Sequence, residues 1–335
     1  MRYTSFNTAA TPLLTHAQPW RLFFGRMVFG MATLGPVPFA KPALAYAAQA
    51  AQLIQRGMVV DDVPAAEAAL ARVSYYRLSA YWHPFRQRDA AGKLLDTLHP
   101  GTRFDTVLGL YEFDRQLRLL VLDAMERVEV ALRTAVTHQI GIAYGAFGHE
   151  DAANFHPQFD HADWVARLRD ETTRSSDAFV GHYRAKYHGF PVLPIWMTTE
   201  LISLGALSRL YKGMLPSDKR AVAAPLNIHP KRLQDWLHVL TYVRNVCAHH
   251  SRLWNRELAI RAMAMPEAGW QPPLLPRQDR LFCVLLILRQ LLRQTGNGTD
   301  WRDQCQALLT PVVSDARWRA AMGMSPNWMA HPYWV

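Results

Sequence analysis

Cysteine is scarce in this sequence: its 335 residues include only three, at positions 247, 283 and 305. Their number is odd and no two form a Cys-x2-Cys pair, so the sequence indicates neither a zinc site nor a disulfide framework. Residues 160–163 read Asp-His-Ala-Asp, but one short spacing is weak evidence for a metal site. We therefore predict no metal and no cofactor, and we predict a cytoplasmic location because the low cysteine content fits a reducing compartment.

Acidic residues are also under-represented, with 27 Asp and Glu against 37 Lys and Arg, which leaves a formal net charge of +10. An excess of this size favours polyanionic partners, among which nucleic acid is the most plausible. Half of the residues are hydrophobic, as in a globular protein, and the length suffices for two domains or one elaborated domain. No helix-turn-helix signature is evident, so sequence-specific DNA binding is not indicated.

Long uninterrupted hydrophobic runs are missing as well. The apolar segment 20–39 is interrupted by Arg21 and Arg26, and the apolar segment 281–292 contains Arg289. Neither is long and apolar enough to span a bilayer, so we predict no stable membrane insertion. We interpret residues 1–40 as a poorly structured extension, with a membrane-surface anchor as the alternative, and segment 281–292 as a core helix.

Helical periodicity is the dominant pattern in the remaining sequence. It is clearest over residues 104–140, where apolar residues recur every 3.6 positions. Further helices are predicted at 43–57, about 62–73, 195–214 and about 230–260, whereas 145–194 is interpreted as a long, partly ordered insertion with incidental histidines. The sequence therefore predicts an all-α protein.

Two carboxylate–arginine pairs lie in the long helical segment. Asp114 with Arg118 and Glu129 with Arg133 are spaced i,i+4, and such a pair stabilises a helix by about 0.3 kcal/mol. We interpret both as ordinary helix pairs. The alternative, ranked second, is that Glu126 and Glu129 orient the arginines of the helix at 230–260.

The most informative segment is 242–256, which contains three arginines, two histidines and two asparagines. Arginine binds phosphate oxygens bidentately and histidine transfers protons near neutral pH, so these residue types can act on a phosphodiester without a metal. Arginine and histidine on an exposed helix usually have no chemical role, and an isolated Arg-x4-His spacing is weak evidence. The full pattern Arg-Asn-x-x-Ala-His-x-x-Arg-x-Trp-Asn-Arg is much more specific.

On one continuous helix, this segment forms a narrow polar stripe. Its four members fall within about 60° of each other, at roughly 100° per residue, and they are Asn245, His249, Arg252 and Arg256. Arg244 lies about 100° from Asn245 on the same geometry, so it needs a helix distortion or a second subunit to approach His249. His250 points with the apolar residues. The stripe contains no acid, and we therefore predict that it receives an anion.

Further blocks accompany this segment: 55–58 followed by 74–82, 110–118, 126–133, and 193–197 with 204–208. Together and in this order, they resemble the Abi (abortive-infection) family of bacterial anti-phage proteins, whose motif belongs to the HEPN superfamily. The resemblance covers about residues 41–262. It implies a HEPN-like helical bundle at 41–262, with additional helices at its amino-terminal side and a linker and C-terminal helical segment at 263–335.

The resemblance also implies a function. HEPN proteins are commonly dimeric, and many are metal-independent endoribonucleases in which the Arg-x4–6-His motifs of two subunits meet across the two-fold axis. Arg244 and His249 match the ends of that motif and Asn245 matches its polar second position. We therefore predict a toxin-like endoribonuclease with Arg244, Asn245 and His249 as its catalytic residues and a homodimer with a composite site as its functional form.

Four more residues are predicted to bind the RNA substrate. Arg252 and Arg256 extend the stripe toward neighbouring phosphates, while Tyr76 and Arg77 belong to an aromatic segment whose other rings are expected in the core. A host that makes such an enzyme needs an inhibitor, which we expect to be protein, RNA or autoinhibition. Two alternatives remain: a non-catalytic RNA- or nucleotide-binding module that senses infection, and a purely structural scaffold.

Overall fold

The computed structural model describes residue 38 and residues 40–263, 267–296 and 299–335. The predicted extension 1–40 therefore lies almost wholly outside the described residues. Thirteen α-helices and one two-stranded sheet occur in the described part of the chain, which confirms the prediction of an all-α protein. Residues 45–335 form one compact unit.

The first elements follow the sequence signals closely. They are helices α1 (Tyr46–Gln55), α2 (Val63–Val73) and α3 (Tyr75–Trp82), then the antiparallel hairpin of β1 (Arg86–Arg88) and β2 (Leu94–Leu98). Gly57 follows α1 with a φ of +92°, a conformation that glycine adopts without a steric penalty. The Asp62 side chain caps α2 by accepting a hydrogen bond from the Ala65 N–H at 2.9 Å, as N-cap aspartates commonly do.

The long central helix α4 (Phe104–Tyr144) has 41 residues and is therefore about 60 Å long at 1.5 Å per residue. Its apolar stripe, which includes Leu117, Val121 and Leu132, is buried. This stripe packs against α3 and against most of the helices that follow α4 in the chain. The predicted periodicity of 104–140 is therefore confirmed, and α4 is the common support of the core.

Segment 145–194 is ordered, so its interpretation as a partly ordered insertion was wrong. It contains helices α5 (His161–Arg174) and α6 (Ala178–Lys186), and the apolar face of α5 is buried through Trp164, Val165 and Leu168. His149 is not incidental either, because its ring is fully buried and packs edge-on against Trp164. Burial lowers the pKa of His149 to about 4.

The predicted helix at 195–214 is two helices, α7 (Ile195–Leu201) and α8 (Leu204–Gly213). The chain turns between them because Ser203 has extended backbone and its hydroxyl accepts a hydrogen bond from the Ala206 N–H at 3.3 Å. Helices α9 (Pro216–Ala223) and α10 (Pro230–Ala248) follow, and both begin at a proline, which has no N–H to leave unpaired.

The last three helices are α11 (Leu281–Gln294), α12 (Thr299–Val313) and α13 (Ala316–Ala321). Every residue of α11 from Leu281 to Arg289 is buried, which confirms the prediction of a core helix. Helices α11 and α12 pack on α4, and the Trp301 indole N–H donates to the Leu120 carbonyl at 2.7 Å. Within the described residues, no helix is both long enough and apolar enough to cross a membrane.

Candidate functional site

Helix α10 ends at Ala248, about twelve residues earlier than predicted. The His250 N–H donates to the Cys247 carbonyl at 2.9 Å, and the Ser251 N–H donates to the Val246 carbonyl at 3.0 Å. This hydrogen-bond pair is a Schellman motif, in which the residue after the C-cap takes a left-handed conformation. That residue is His250, whose φ is +54°. The chain after His249 is therefore a loop.

The early end of α10 corrects the predicted polar stripe. Arg252 and Arg256 lie in the loop, so they share no helix face with Asn245. Asn245 and Arg244 remain on the last turns of α10, where the Arg244 Nη1 donates to the Asn245 Oδ1 at 3.4 Å. The prediction of one continuous helix was wrong. The sequence has no glycine at 249–251, and glycine is the residue that usually marks such a helix end.

The loop and helix α3 form an open groove with a cavity volume of about 470 Å³. We call it the arginine groove, and its lining consists of Ser74, Tyr76, Arg77, Ala80, Tyr81, residues 249–252 and Arg256. No Asp or Glu is among the described residues that line it. Three arginines and two histidines thus line one opening without an acidic residue, which suits a polyanionic ligand.

Two arginines tie the walls of the groove together through backbone carbonyls. The Arg77 Nη1 on α3 donates to the His250 carbonyl at 2.6 Å. In the opposite direction, the Arg252 Nη1 in the loop donates to the Ala80 carbonyl of α3. The Arg256 Nε then donates to the Arg252 carbonyl at 2.8 Å. Because each guanidinium carries five N–H donors, these contacts fix the arginines and leave donors for a ligand.

A buried carboxylate holds the loop in place. Asp114 is fully buried in α4, and its carboxylate accepts hydrogen bonds from the Trp254 N–H at 2.8 Å and the Leu253 N–H at 3.2 Å. It also accepts from the Tyr81 hydroxyl at 2.7 Å and from the Arg118 Nη1 at 2.5 Å. We call these five groups the Asp114 hub. It connects α3, α4 and the loop at one point beneath the groove.

The hub also corrects the interpretation of Asp114 and Arg118 as an ordinary helix pair. Their side chains are 0% and 5% exposed, and the carboxylate's partners lie up to 140 positions away in the sequence. Burial raises the pKa of Asp114, while the Arg118 guanidinium and the hydrogen bonds to the carboxylate act in the opposite direction. Burial also raises the pKa of the Tyr81 hydroxyl, which therefore remains a hydrogen-bond donor.

The electrostatics of the groove are unbalanced toward positive charge. Burial and the neighbouring Arg256 lower the pKa of Arg252, which means that two cationic groups are held close together in a partly dehydrated position. An anion that bridges them relieves this repulsion. The groove therefore favours an anionic ligand over a cationic one.

The structure brings together five of the seven site residues predicted from the sequence. His249, Arg252, Arg256, Tyr76 and Arg77 all line the arginine groove. Tyr76 is 89% exposed, so its ring is available to a ligand. The other two residues, Arg244 and Asn245, do not line the groove of their own chain.

Sequence reasoning missed two residues that shape this site. His250 was assigned to the apolar face, but it is exposed and lines the groove. Asp114 was predicted only to pair with Arg118 on its own helix. The role of orienting the 230–260 segment was considered instead for Glu126 and Glu129. Glu129 instead pairs with Arg133, whose guanidinium donates to the Thr199 carbonyl. The only available signal for Asp114 was its place in the block 110–118.

A second cavity, of about 520 Å³, has a different character. Its lining includes Lys212 and Lys219, but also Asp160 and Asp163, so opposite charges are mixed within it. Among the described residues, no group of three or more His, Cys, Asp or Glu side chains is placed to hold a metal ion. We therefore take the arginine groove as the candidate functional site, because its lining is basic and, among the described residues, contains no acidic residue, unlike that of the second cavity.

Residues 68–255 match the family model described as Abi-like protein. The match covers 188 of 335 residues, from 68 to 255 inclusive, and it contains every residue of the groove except Arg256. No curated protein and no solved structure matches the chain.

Proposed function

Since the chain belongs to the Abi-like protein family, we propose that it acts in abortive infection as a cytoplasmic, metal-independent endoribonuclease. The observation that carries the proposal is the arginine groove, which places His249 among Arg77, Arg252 and Arg256 without a carboxylate in the lining. The segment 244–249 also resembles the Arg-x4–6-His motif of the HEPN superfamily, many of whose members cleave RNA.

The proposed chemistry needs only proton transfer and charge stabilisation. RNA carries its own nucleophile, the 2′-hydroxyl, which attacks the adjacent phosphorus and expels the 5′-oxygen to leave a 2′,3′-cyclic phosphate. His249 acts as general base or general acid in this reaction, a role typically worth 10²–10⁴-fold in rate. The arginines hold the phosphate and stabilise the charge that grows on its oxygens in the transition state.

We further propose a homodimer with a composite site. Arg244 and Asn245 lie at the end of α10, outside the groove of their own chain, so a second copy is needed to bring an Arg244 to the phosphate. A two-fold interface supplies such a contact twice, once for each groove. In the uninfected cell, a protein or RNA inhibitor that covers the groove would keep the enzyme inactive.

Cleavage of a labelled RNA pool in EDTA tests the proposal. We expect the wild type to cut RNA and leave cyclic-phosphate ends, and both His249→Ala and Arg244→Ala to be at least about 100-fold slower. The exposed His182 and Arg72 lie outside the groove, so their alanine variants serve as matched controls and should cut normally. DNA should stay intact because it lacks the 2′-hydroxyl, and equal cleavage of DNA would contradict the mechanism.

A second candidate function is a non-catalytic RNA- or nucleotide-binding module that senses infection. The groove of one chain contains three arginines that can bind RNA, but it lacks Arg244 and Asn245, which the catalytic proposal requires. This difference favours binding without catalysis. This alternative predicts that the wild type binds RNA without cutting it and that His249→Ala binds equally well. A dimeric wild type that binds RNA but never cleaves it would therefore favour the module over the enzyme.

A further inference from the structure

His250 occupies a backbone position at which a histidine is unfavourable. It is the left-handed residue of the Schellman motif that ends α10, with a φ of +54°. Glycine is the usual residue at this position because it has no Cβ to clash with the backbone. Only two other non-glycine residues in the described part of the chain have positive φ, and one of them, Ser74, also lines the arginine groove. Unusual backbone conformations thus concentrate at this site.

The helix end does not explain why the residue is histidine. The two hydrogen bonds of the motif use only the backbone N–H groups of His250 and Ser251, and the His250 carbonyl accepts from Arg77. All three interactions would persist with glycine. His250 is exposed, and it lines the same groove as His249.

We infer that His250 is a second proton-transfer residue, so that His249 and His250 of one chain form an acid–base pair on a single phosphodiester. This inference rests on the proposed endoribonuclease function. Cleavage of RNA through the 2′-hydroxyl requires two proton transfers, one from the nucleophile and one to the leaving group. The lining of the groove contains two histidines for these two tasks, and Arg77, Arg252 and Arg256 are the charged residues beside them.

The reaction is balanced with these two groups alone. A neutral imidazole takes the proton of the 2′-hydroxyl as the bond from the 2′-oxygen to phosphorus forms. A protonated imidazole gives its proton to the 5′-oxygen as the bond from phosphorus to that oxygen breaks. The products are a 2′,3′-cyclic phosphate and a 5′-hydroxyl, and no oxidant or other co-reactant is consumed. The pair ends with its protons exchanged, and exchange with water resets it.

Replacing His250 by glycine separates a catalytic role from a structural one. The backbone position favours glycine, so His250→Gly should melt at or above the temperature of the wild type. If the imidazole transfers a proton, the same variant should cut RNA at least about 100-fold more slowly. His250→Asn is a second variant, because asparagine also tolerates the left-handed conformation, and it should show the same loss. Normal cleavage by a well-folded His250→Gly protein would overturn the inference.

A substrate with sulfur in place of the bridging 5′-oxygen tests which histidine is the general acid and which is the general base. Thiolate leaves without help from an acid, so this substrate should restore cleavage to whichever variant lacks the general acid. We expect it to rescue either His250→Gly or His249→Ala, but not both. Rescue of neither variant would overturn the acid–base pair.

Mixing the two variants tests whether both residues act from one chain. Equal amounts of His249→Ala and His250→Gly chains should show no recovery of cleavage, because no groove then contains both imidazoles. Recovery to about a quarter of the wild-type rate would mean that the two histidines come from different subunits, which overturns the one-chain pair. A wild type that does not cleave would overturn the proposed function together with this inference. Loss of cleavage in His249→Ala with full cleavage by His250→Gly would overturn the inference alone.

Discussion

Replacing Asp114 by asparagine changes one atom of a buried side chain and disrupts the hub beneath the groove. One carboxylate oxygen accepts from the Trp254 N–H, while the other accepts from the Tyr81 hydroxyl and the Arg118 guanidinium. Asparagine has a single acceptor oxygen, so in either amide orientation its NH₂ group faces other donors. Both the charge and part of the hydrogen bonding are lost.

The magnitude follows from the burial of Arg118. Its side chain is only 5% exposed, so the variant leaves a buried positive charge without its partner, which destabilises a protein by about 3–5 kcal/mol. This is a large share of the roughly 5–15 kcal/mol by which a folded domain is stable. We therefore expect the free energy of unfolding of Asp114→Asn, measured in urea, to fall by about 3–5 kcal/mol.

Asp123→Asn is the matched control, since it makes the same change on the same helix. Asp123 pairs with Arg127 at 3.0 Å, but the two side chains are 40% and 34% exposed, and such pairs contribute at most about 1 kcal/mol. If Asp114→Asn destabilised the protein no more than Asp123→Asn, the hub would not have the role described here. We also expect Asp114→Asn to lose RNA binding, because the loop that carries Arg252 loses its anchor.

Two further predictions concern His149 and Tyr76. Because burial lowers the pKa of His149 to about 4, protons bind the unfolded chain first as pH falls from 6.5, and stability should decrease by ~3 kcal/mol between pH 6.5 and 4. His149→Gln should flatten that dependence in urea unfolding series, and an unchanged dependence would refute the assignment. Tyr76→Ala should weaken binding of single-stranded RNA by about 5–150-fold, as expected for one stacked base, without changing the melting temperature. Tyr46→Ala, which removes a half-exposed ring on α1, is its control; equal affinities of the two variants would contradict the contact.

The helices themselves were largely readable from the sequence. Three local features of the sequence agree with the helices of the folded protein: the 3.6-residue spacing of 104–140, the Asp62 cap and the proline at position 230. Segment 145–194 was misjudged because α6 is short and α5 has few apolar residues among many charged ones. Their order comes from packing on the rest of the molecule, with Trp164 fully inside.

The site was predictable in its residues but not in its geometry. The composition of 242–256 and the aromatic segment near Tyr76 were sufficient to select five groove residues. The end of α10 was not, because His250 takes the place of the glycine that would have marked it. The role of Asp114 was not predictable either, since an i,i+4 spacing contains no information about a loop that comes 139 residues later.

The central position of α4 has a consequence for the order in which the protein can assemble during synthesis. Helix α4 emerges from the ribosome early, but α11 and α12, which cover part of its apolar stripe, are made more than 130 residues later. When the groove loop has just been synthesised, the helix that supplies the Asp114 carboxylate is still incompletely covered. A nascent chain at residue 256 therefore possesses all the groove residues before α11 and α12 are available to cover the rest of the apolar stripe of α4.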